Sequence, residues 1–372
     1  MTATATQAHH EGFLSKLYTG TGAFAIVGRR KVWYAATGII VAVAIIGIIV
    51  RGFTLSIDFR GGTQVSFPVT GSADTAAVER IVTDATGTAP ASVQTAGTGS
   101  TATYQIATSE MNNDDIAKVR TALFDRFHPE GRDGRPSAAA ISFSDVSSTW
   151  GAQITRKAII ALIVFLVIVT AYIAVRFREW GMALAALASL FFDVIVTAGV
   201  YAWVGFQVSP ATVIGLLTIL GFSLYDTVVV FDKVEENVRG FQHTTRRTYA
   251  EQANLAVNQT LMRSINTTVI SVLPIIALMV IAAWMLGVGT LNDLALIQLV
   301  GVVVGTYSSI FFATPLLVSF KERTEEVRRH TAKVMARRAR EEGGGVGTAS
   351  EPQEVPAKPA ARPTTKRARR RG

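Results

Sequence analysis

The 372-residue chain is 49% apolar, and the apolar residues are gathered into long blocks, which excludes an ordinary soluble globule. The formal charge of +9 does not mark a nucleic-acid groove, because the tail after Ser319 holds fifteen Lys and Arg against seven Glu and the remainder is nearly neutral. Cysteine is absent and the five histidines are scattered, with only His9 and His10 adjacent, so disulfides, metal-ligand spacing and a cofactor site are not expected.

In chain order, residues 1–31 form an N-terminal segment ending in Arg29, Arg30 and Lys31, followed by an uncharged run over 32–50. This run exceeds a signal-peptide core and lacks a small-x-small cleavage site before Arg51, so it reads as a retained anchor. Five further runs, 158–175, 181–204, 210–231, 264–286 and 294–317, are each long enough to cross about 30 Å of hydrocarbon. Lys and Arg cluster beside alternate loops: Arg176 and Arg178 between runs two and three, and Lys233, Arg239, Arg246, Arg247 and Arg263 in 232–263. The loops 205–209 and 287–293 have no basic residue. The positive-inside bias then places both termini in the cytoplasm and residues 51–157 outside the membrane.

Residues 51–157 have the signature of a small α+β domain of the ferredoxin-like kind. TLSIDFRGGTQVSFPV (54–69) alternates on both sides of Gly61 and Gly62, suggesting two strands around a tight turn. A helix follows over 72–87 with Asp74 as its cap, then strands at 92–96 and 103–108, a second helix over 112–128 and a last strand at 138–146. Residues 232–263 read as a cytoplasmic amphipathic segment. The basic tail, 318–372, becomes rich in Gly, Pro, Ala and Arg after about 341 and lacks the residues for a core, so it is expected to be largely disordered, with membrane lipid as a candidate contact.

The chemistry concentrates on two acids. Runs three and four each hold one, Asp193 and Asp226, and a carboxylate in hydrocarbon costs about 3 kcal/mol on insertion scales, which makes each a functional candidate needing a partner. Arg263 lies at a depth near that of Asp226 and is a candidate partner, with snorkelling to the interface as the plainer alternative. Hydroxyl residues Ser264, Thr267 and Thr268 at the start of run five, Thr227 beside Asp226 and Ser308 in GTYSS (305–309) supply a supporting polar face. Three mechanisms remain open on these residues: a proton-coupled machine, an intramembrane aspartyl protease using Asp193 and Asp226, and a scaffold whose acids only pack. No GxxxxGK[ST] pattern is present, so an ATP site is not expected.

IDFRGGT after run one, GFSLYDTVVVFDKVEEN ending run four, NQTLMRSINTT entering run five and GTYSSIFFATP in run six together resemble the SecD/SecF family of bacterial protein-translocase subunits, on its SecF side, over about 30–320. The resemblance implies half of an RND-type transporter in the cytoplasmic membrane. It would pair with a SecD partner and assist the SecYEG channel in exporting preproteins with the proton-motive force; an RND-type small-molecule or lipid exporter half is the alternative. It also implies that Asp226 carries the proton, that Arg263 is the arginine at the start of span five, and that Asp193 is the acid of span three, although Phe192 stands where the family often has His. The D-F-x-G-G element corresponds to Asp58, Phe59, Gly61 and Gly62, with a role in shaping the external domain.

Overall fold

The computed structural model describes residues 24–71, 74–97, 99–131, 134–281 and 289–343. The expected N-terminal segment before residue 24, the end of the fifth apolar run, part of the 287–293 loop and the tail from 344 lie outside the described residues. Among the described residues, six helices are long and apolar enough to cross a membrane. They are α1 (Arg30–Arg51), α5 (Ser148–Phe177), α6 (Trp180–Val204), α7 (Pro210–Val238), α8 (Tyr249–Val280) and a last span formed by α9 (Gly289–Tyr307), a π-helical segment (Ser308–Ala313) and α10 (Thr314–Lys321).

Between α1 and α5 the chain builds a sheet domain. Its order is β1 (Thr54–Leu55), α2 (Ile57–Arg60), β2 (Gly62–Pro68), α3 (Thr75–Thr86), β3 (Ser92–Ala96), β4 (Thr103–Thr108), α4 (Asn113–Phe127) and β5 (Ser142–Val146). Strands pair in the order β3-β4-β2-β5, all antiparallel, which with the two helices is the βαββαβ arrangement. Alternation along β2 and β4 sends Val65, Phe67, Tyr104 and Ile106 to one face, where Val78 and Val82 of α3 and Val119 and Leu123 of α4 complete the core. Asp74 caps α3 by accepting from Ala77 N at 2.9 Å, and Asn112 caps α4 by accepting from Asp115 N at 2.8 Å.

The hairpin expected around Gly61 and Gly62 does not form. Thr54 and Leu55 instead pair in parallel with β6, Gln207–Val208, in the loop between α6 and α7, and Ser56 N donates to Val208 O at 2.9 Å. The alternating residues that follow wind into the single turn α2, which Gly61 ends with φ +78. Both glycines are required by close approach. A Cβ on Gly61 would stand 2.6 Å from Ser148 Cα, and one on Gly62 would overlap Thr108 O. From the other side, a Cβ on Gly151 would meet Phe59 O at 2.6 Å, so the turn seats directly on the first turns of α5.

Within the bundle, α6, α7 and the last span are the inner helices, while α1, α5 and α8 are peripheral. Ile39, Ile46, Ile49, Ile163, Val167 and Ile270 point outward, the inverse of a soluble core and the pattern of a lipid-facing or partner-facing surface. Small residues let the inner helices close up: a Cβ on Gly199 would overlap Ala44 of α1, and one on Gly301 would overlap Ile219 of α7.

At the end of the bundle away from the sheet domain, the stretch 232–263 is not a separate segment. It comprises the last turns of α7, a short connection and the first turns of α8, whose capping box joins Thr248 and Glu251. The tail likewise begins as a helix, α11 (Glu325–Gly343), which buries Val327, His330 and Val334. His330 Nε2 bonds Thr244 O at 2.7 Å, and Arg338 donates to both oxygens of Glu251 at 2.8 and 2.7 Å. Asp232 at the same end pairs with Arg176 at 2.9 Å and is half exposed, which separates it from the buried acids.

Candidate functional site

Asp226 sits on the inward face of α7, 4% exposed. Ser264 of α8 donates to Asp226 Oδ1 at 2.6 Å, and Ser309 of the π-helical segment donates to Asp226 Oδ2. Hydroxyls from two other elements thus converge on one carboxylate. Ser264 belongs to the polar face anticipated at the start of the fifth span. Thr268, one turn on, bonds Thr306 Oγ1 at 2.7 Å and ties α8 to α9. Thr267 turns outward and donates back to Arg263 O at 2.8 Å, and Thr227 is buried on α7.

Arg263 does not contact Asp226. Successive residues on a helix are about 100° apart, so if Ser264 faces the acid its predecessor faces away. Arg263 is exposed and donates to Tyr225 OH at 3.2 Å, remaining a positive neighbour of Asp226 without an ion pair.

Asp193 is fully buried on α6 and accepts from Ser223 of α7 at 2.5 Å. Ser308 lies beside it and donates its own hydroxyl to Gly305 O at 3.0 Å. The consecutive residues Ser308 and Ser309 therefore bring one short segment to both acids, Ser309 by a bond to Asp226 and Ser308 as a neighbour of Asp193. The π-helical winding there is explained by Pro315, which cannot donate to a carbonyl four residues back and whose ring would clash with it. Among the described residues no hydrogen bond joins Asp193 to Asp226; each keeps its own hydroxyl set, which is not the shared-proton geometry of an aspartyl dyad. No group of His, Asp or Glu with metal-holding geometry occurs among the described residues.

Asp58, Phe59, Gly61 and Gly62 are not part of this cluster. They lie at the base of the sheet domain, where Ser56 Oγ donates to Asp58 Oδ2 at 3.2 Å. Ser223 carries a contact that sequence reasoning missed, and within GTYSS it singled out Ser308 rather than Ser309 and Thr306. Ser309 lay inside the GTYSS stretch, and Ser223 is three residues before Asp226, hence on nearly the same face of α7. Asn254 and Asn258, four residues apart on α8, were also missed: they clasp the backbone of Phe24 and Val27 with bonds of 2.9 to 3.0 Å.

Residues 128–323 match the family described as protein export membrane protein SecD/SecF, C-terminal, and residues 46–73 match the SecD/SecF GG motif, which contains Gly61 and Gly62. The chain is 63% identical over 337 residues to the protein translocase subunit SecF of Mycobacterium tuberculosis, covering 91% of this chain and 76% of that one. It is 42% identical to the protein translocase subunit SecF of Streptomyces coelicolor, over 91% of this chain and 87% of that one. The crystal structure of SecDF, a translocon-associated membrane protein from Thermus thermophilus, superposes with a TM-score of 0.69 at 28% identity, covering 81% of this chain and 39% of that chain. Six apolar helices with a βαββαβ domain between the first two, a double glycine at its base and identity at this level have one reading: the chain belongs to the SecD/SecF family, on its SecF branch.

Proposed function

We propose that the chain is the SecF-type half of a proton-driven machine that assists protein export across the cytoplasmic membrane. The role in protein export follows from family membership. The energy source is read from the site, and the observation that carries it is Asp226: an ionisable group 4% exposed in an apolar helix, held by hydroxyls from two other elements that would feel a change in its charge. Protonation removes the acceptor charge those hydroxyls bind, so the balance between packings of α7, α8 and the π-helical segment shifts with the proton.

Arg263 acts in this reading as a positive neighbour that favours the ionised carboxylate without neutralising it, and Asp193 is a second proton-handling group. The sheet domain lies outside the membrane and both termini lie in the cytoplasm, as supported by the cluster of Arg30, Arg176, Arg178 and Arg239 at the end of the bundle opposite that domain. A SecDF chain that contains a match to this one over 39% of its length supports a SecD-type partner, and the outward apolar faces of the peripheral helices give it room to pack. The SecYEG channel and emerging preproteins complete the proposed assembly, with the tail beyond α11 against membrane lipid.

The test is export into vesicles bearing an imposed proton gradient, comparing wild type with Asp226→Asn. The substitution keeps shape and one acceptor oxygen but cannot ionise, so stimulation by the gradient should vanish while gradient-independent export persists. Full stimulation of the substituted protein would rule out Asp226 as the carrier.

A further inference from the structure

A buried line of polar side chains runs through α6 on the side facing α7 and the last span, and the proposed function uses only one of its members. Ser189, Asp193, Thr197 and Tyr201 recur every four residues and are each no more than 2% exposed. Four residues advance a helix by about 6 Å, roughly the reach of one water molecule bridging two oxygens. Among the described residues, Ser189 Oγ, Asp193 Oδ1 and Thr197 Oγ1 find no hydrogen-bond partner. Several other threonines of the spans are satisfied within their own helix. Thr170, Thr218 and Thr267 each donate to the carbonyl four residues back, at 2.7 to 2.8 Å. That internal bond is the inexpensive resort of a threonine in an apolar helix, and Thr197 does not use it. A buried hydroxyl left unbonded is costly, so these groups call for a partner, such as water, that the neighbouring side chains do not supply.

Its two ends are defined. At the sheet-domain end, Tyr201 OH donates to Asp293 O at 2.9 Å, beside the first turn of α9. At the inner end Asp193 accepts from Ser223, which lies one turn before Asp226 on α7, and Ser308 and Ser309 bridge the remaining interval from the last span.

We propose that the Tyr201, Thr197 and Asp193 face of α6 is a proton wire internal to this subunit, leading from a mouth at Tyr201 and Asp293 to Asp193 and on to Asp226. Transient waters occupy the 6 Å rungs. Each hydroxyl accepts a proton on one side as it releases one on the other, so no charge accumulates on Tyr201, Thr197 or the serines. Asp193 is the one member of the wire that can hold the proton in transit. This inference rests on the reading of Asp226 as the carrier.

The experiment measures proton flux, with the full chain co-reconstituted with its SecD-type partner in vesicles loaded with a pH-sensitive dye. Thr197→Val keeps volume and removes the hydroxyl, whereas Thr197→Ser keeps the hydroxyl and loses a methyl. A wire requires flux to fall at least tenfold in T197V and to stay near wild type in T197S; a packing role requires the opposite order. Ser189→Ala tests the rung beyond Asp193, and Thr170→Val, whose hydroxyl bonds its own helix on α5, should conduct as wild type. If T197V conducts normally while D226N is silent, the wire is wrong and the carrier assignment stands. If D226N itself conducts normally, the carrier assignment fails and the wire falls with it. Should T197V not assemble, T197S and Y201F decide: flux near wild type in the first with a tenfold loss in the second supports the wire, and any other pair of results overturns it.

Discussion

Ser309 donates its hydroxyl to one oxygen of Asp226 while Ser264 donates to the other, so the carboxylate of α7 is gripped from the last span and from α8 at once. A hydrogen bond to a charged group contributes about 1.5–3 kcal/mol, equivalent to roughly tenfold or more in the equilibrium it biases. Ser309→Ala is therefore expected to reduce gradient-stimulated export by about tenfold. Ser309→Thr, which keeps the hydroxyl, should retain most of it. Equal activity of the two variants in the vesicle assay would show that the grip is incidental.

Gly305 tests the packing behind Asp193. A Cβ there would stand 2.8 Å from Ser223 Cβ, the residue that bonds Asp193. Overpacking of this kind costs about 1–3 kcal/mol. Gly305→Ala should lower the thermal unfolding midpoint in detergent and also disturb proton handling, whereas Gly38→Ala, with nothing within 4 Å, should do neither. An unchanged midpoint for G305A would mean that α7 and α9 yield more readily than their contact implies.

The docked helix α11 offers a separate test. Val334 is fully buried on this helix, whose His330 and Arg337 bond Thr244 and Thr245 in the loop that joins α7 to α8. Val334→Asp would place an unpaired carboxylate in that contact at a cost of several kcal/mol, enough to release the helix. Trypsin should then cleave after Arg337, Arg338 and Arg340 much faster than in wild type, while the bundle remains intact by circular dichroism. Removing the exposed pair of Arg338 and Glu251 should have the smaller effect, about 1 kcal/mol or less.

At the base of the sheet domain, Gly61→Ala combines a positive φ with a backbone overlap. Loss of about 2 kcal/mol or more is expected, concentrated where α2 meets α5. Hydrogen exchange would report it as faster opening of β2 and the first turns of α5, with the inner bundle unaffected. Uniform protection across both regions would indicate that the turn relaxes around the methyl group.

These tests mark where the sequence could and could not be read. The six spans were legible because uncharged length is a one-dimensional property, and the βαββαβ order because Val65, Phe67, Tyr104 and Ile106 alternate while Val78 and Val82, like Val119 and Leu123, sit at helical spacing. Azimuth was harder. Arg263 matched Asp226 in depth, yet the neighbouring Ser264 holds the contact, since depth along a helix does not say which side a residue faces. The π-helical winding leaves no compositional mark except Pro315. The docking of α11 was hidden by its charge, although Val327, His330 and Val334, three and four residues apart, were the stripe that could have found it. The hairpin was misread because alternation in TLSIDFR suits a strand but is too short to distinguish one from an extended cap followed by a helical turn.

The parallel pairing of Thr54 and Leu55 with Gln207 and Val208 bears on how the sheet domain should be isolated. A fragment cut at the edges of the apolar runs would carry a two-residue strand torn from its partner in the loop between α6 and α7, with its backbone groups unpaired and free to seek another chain. It would also carry the first turns of α5, which are seated on α2. The self-contained seam lies between Gly62, where β2 begins, and Val146, where β5 ends. A fragment trimmed there keeps every strand of the β3-β4-β2-β5 sheet with its partner and is the form suited to expression and solution study.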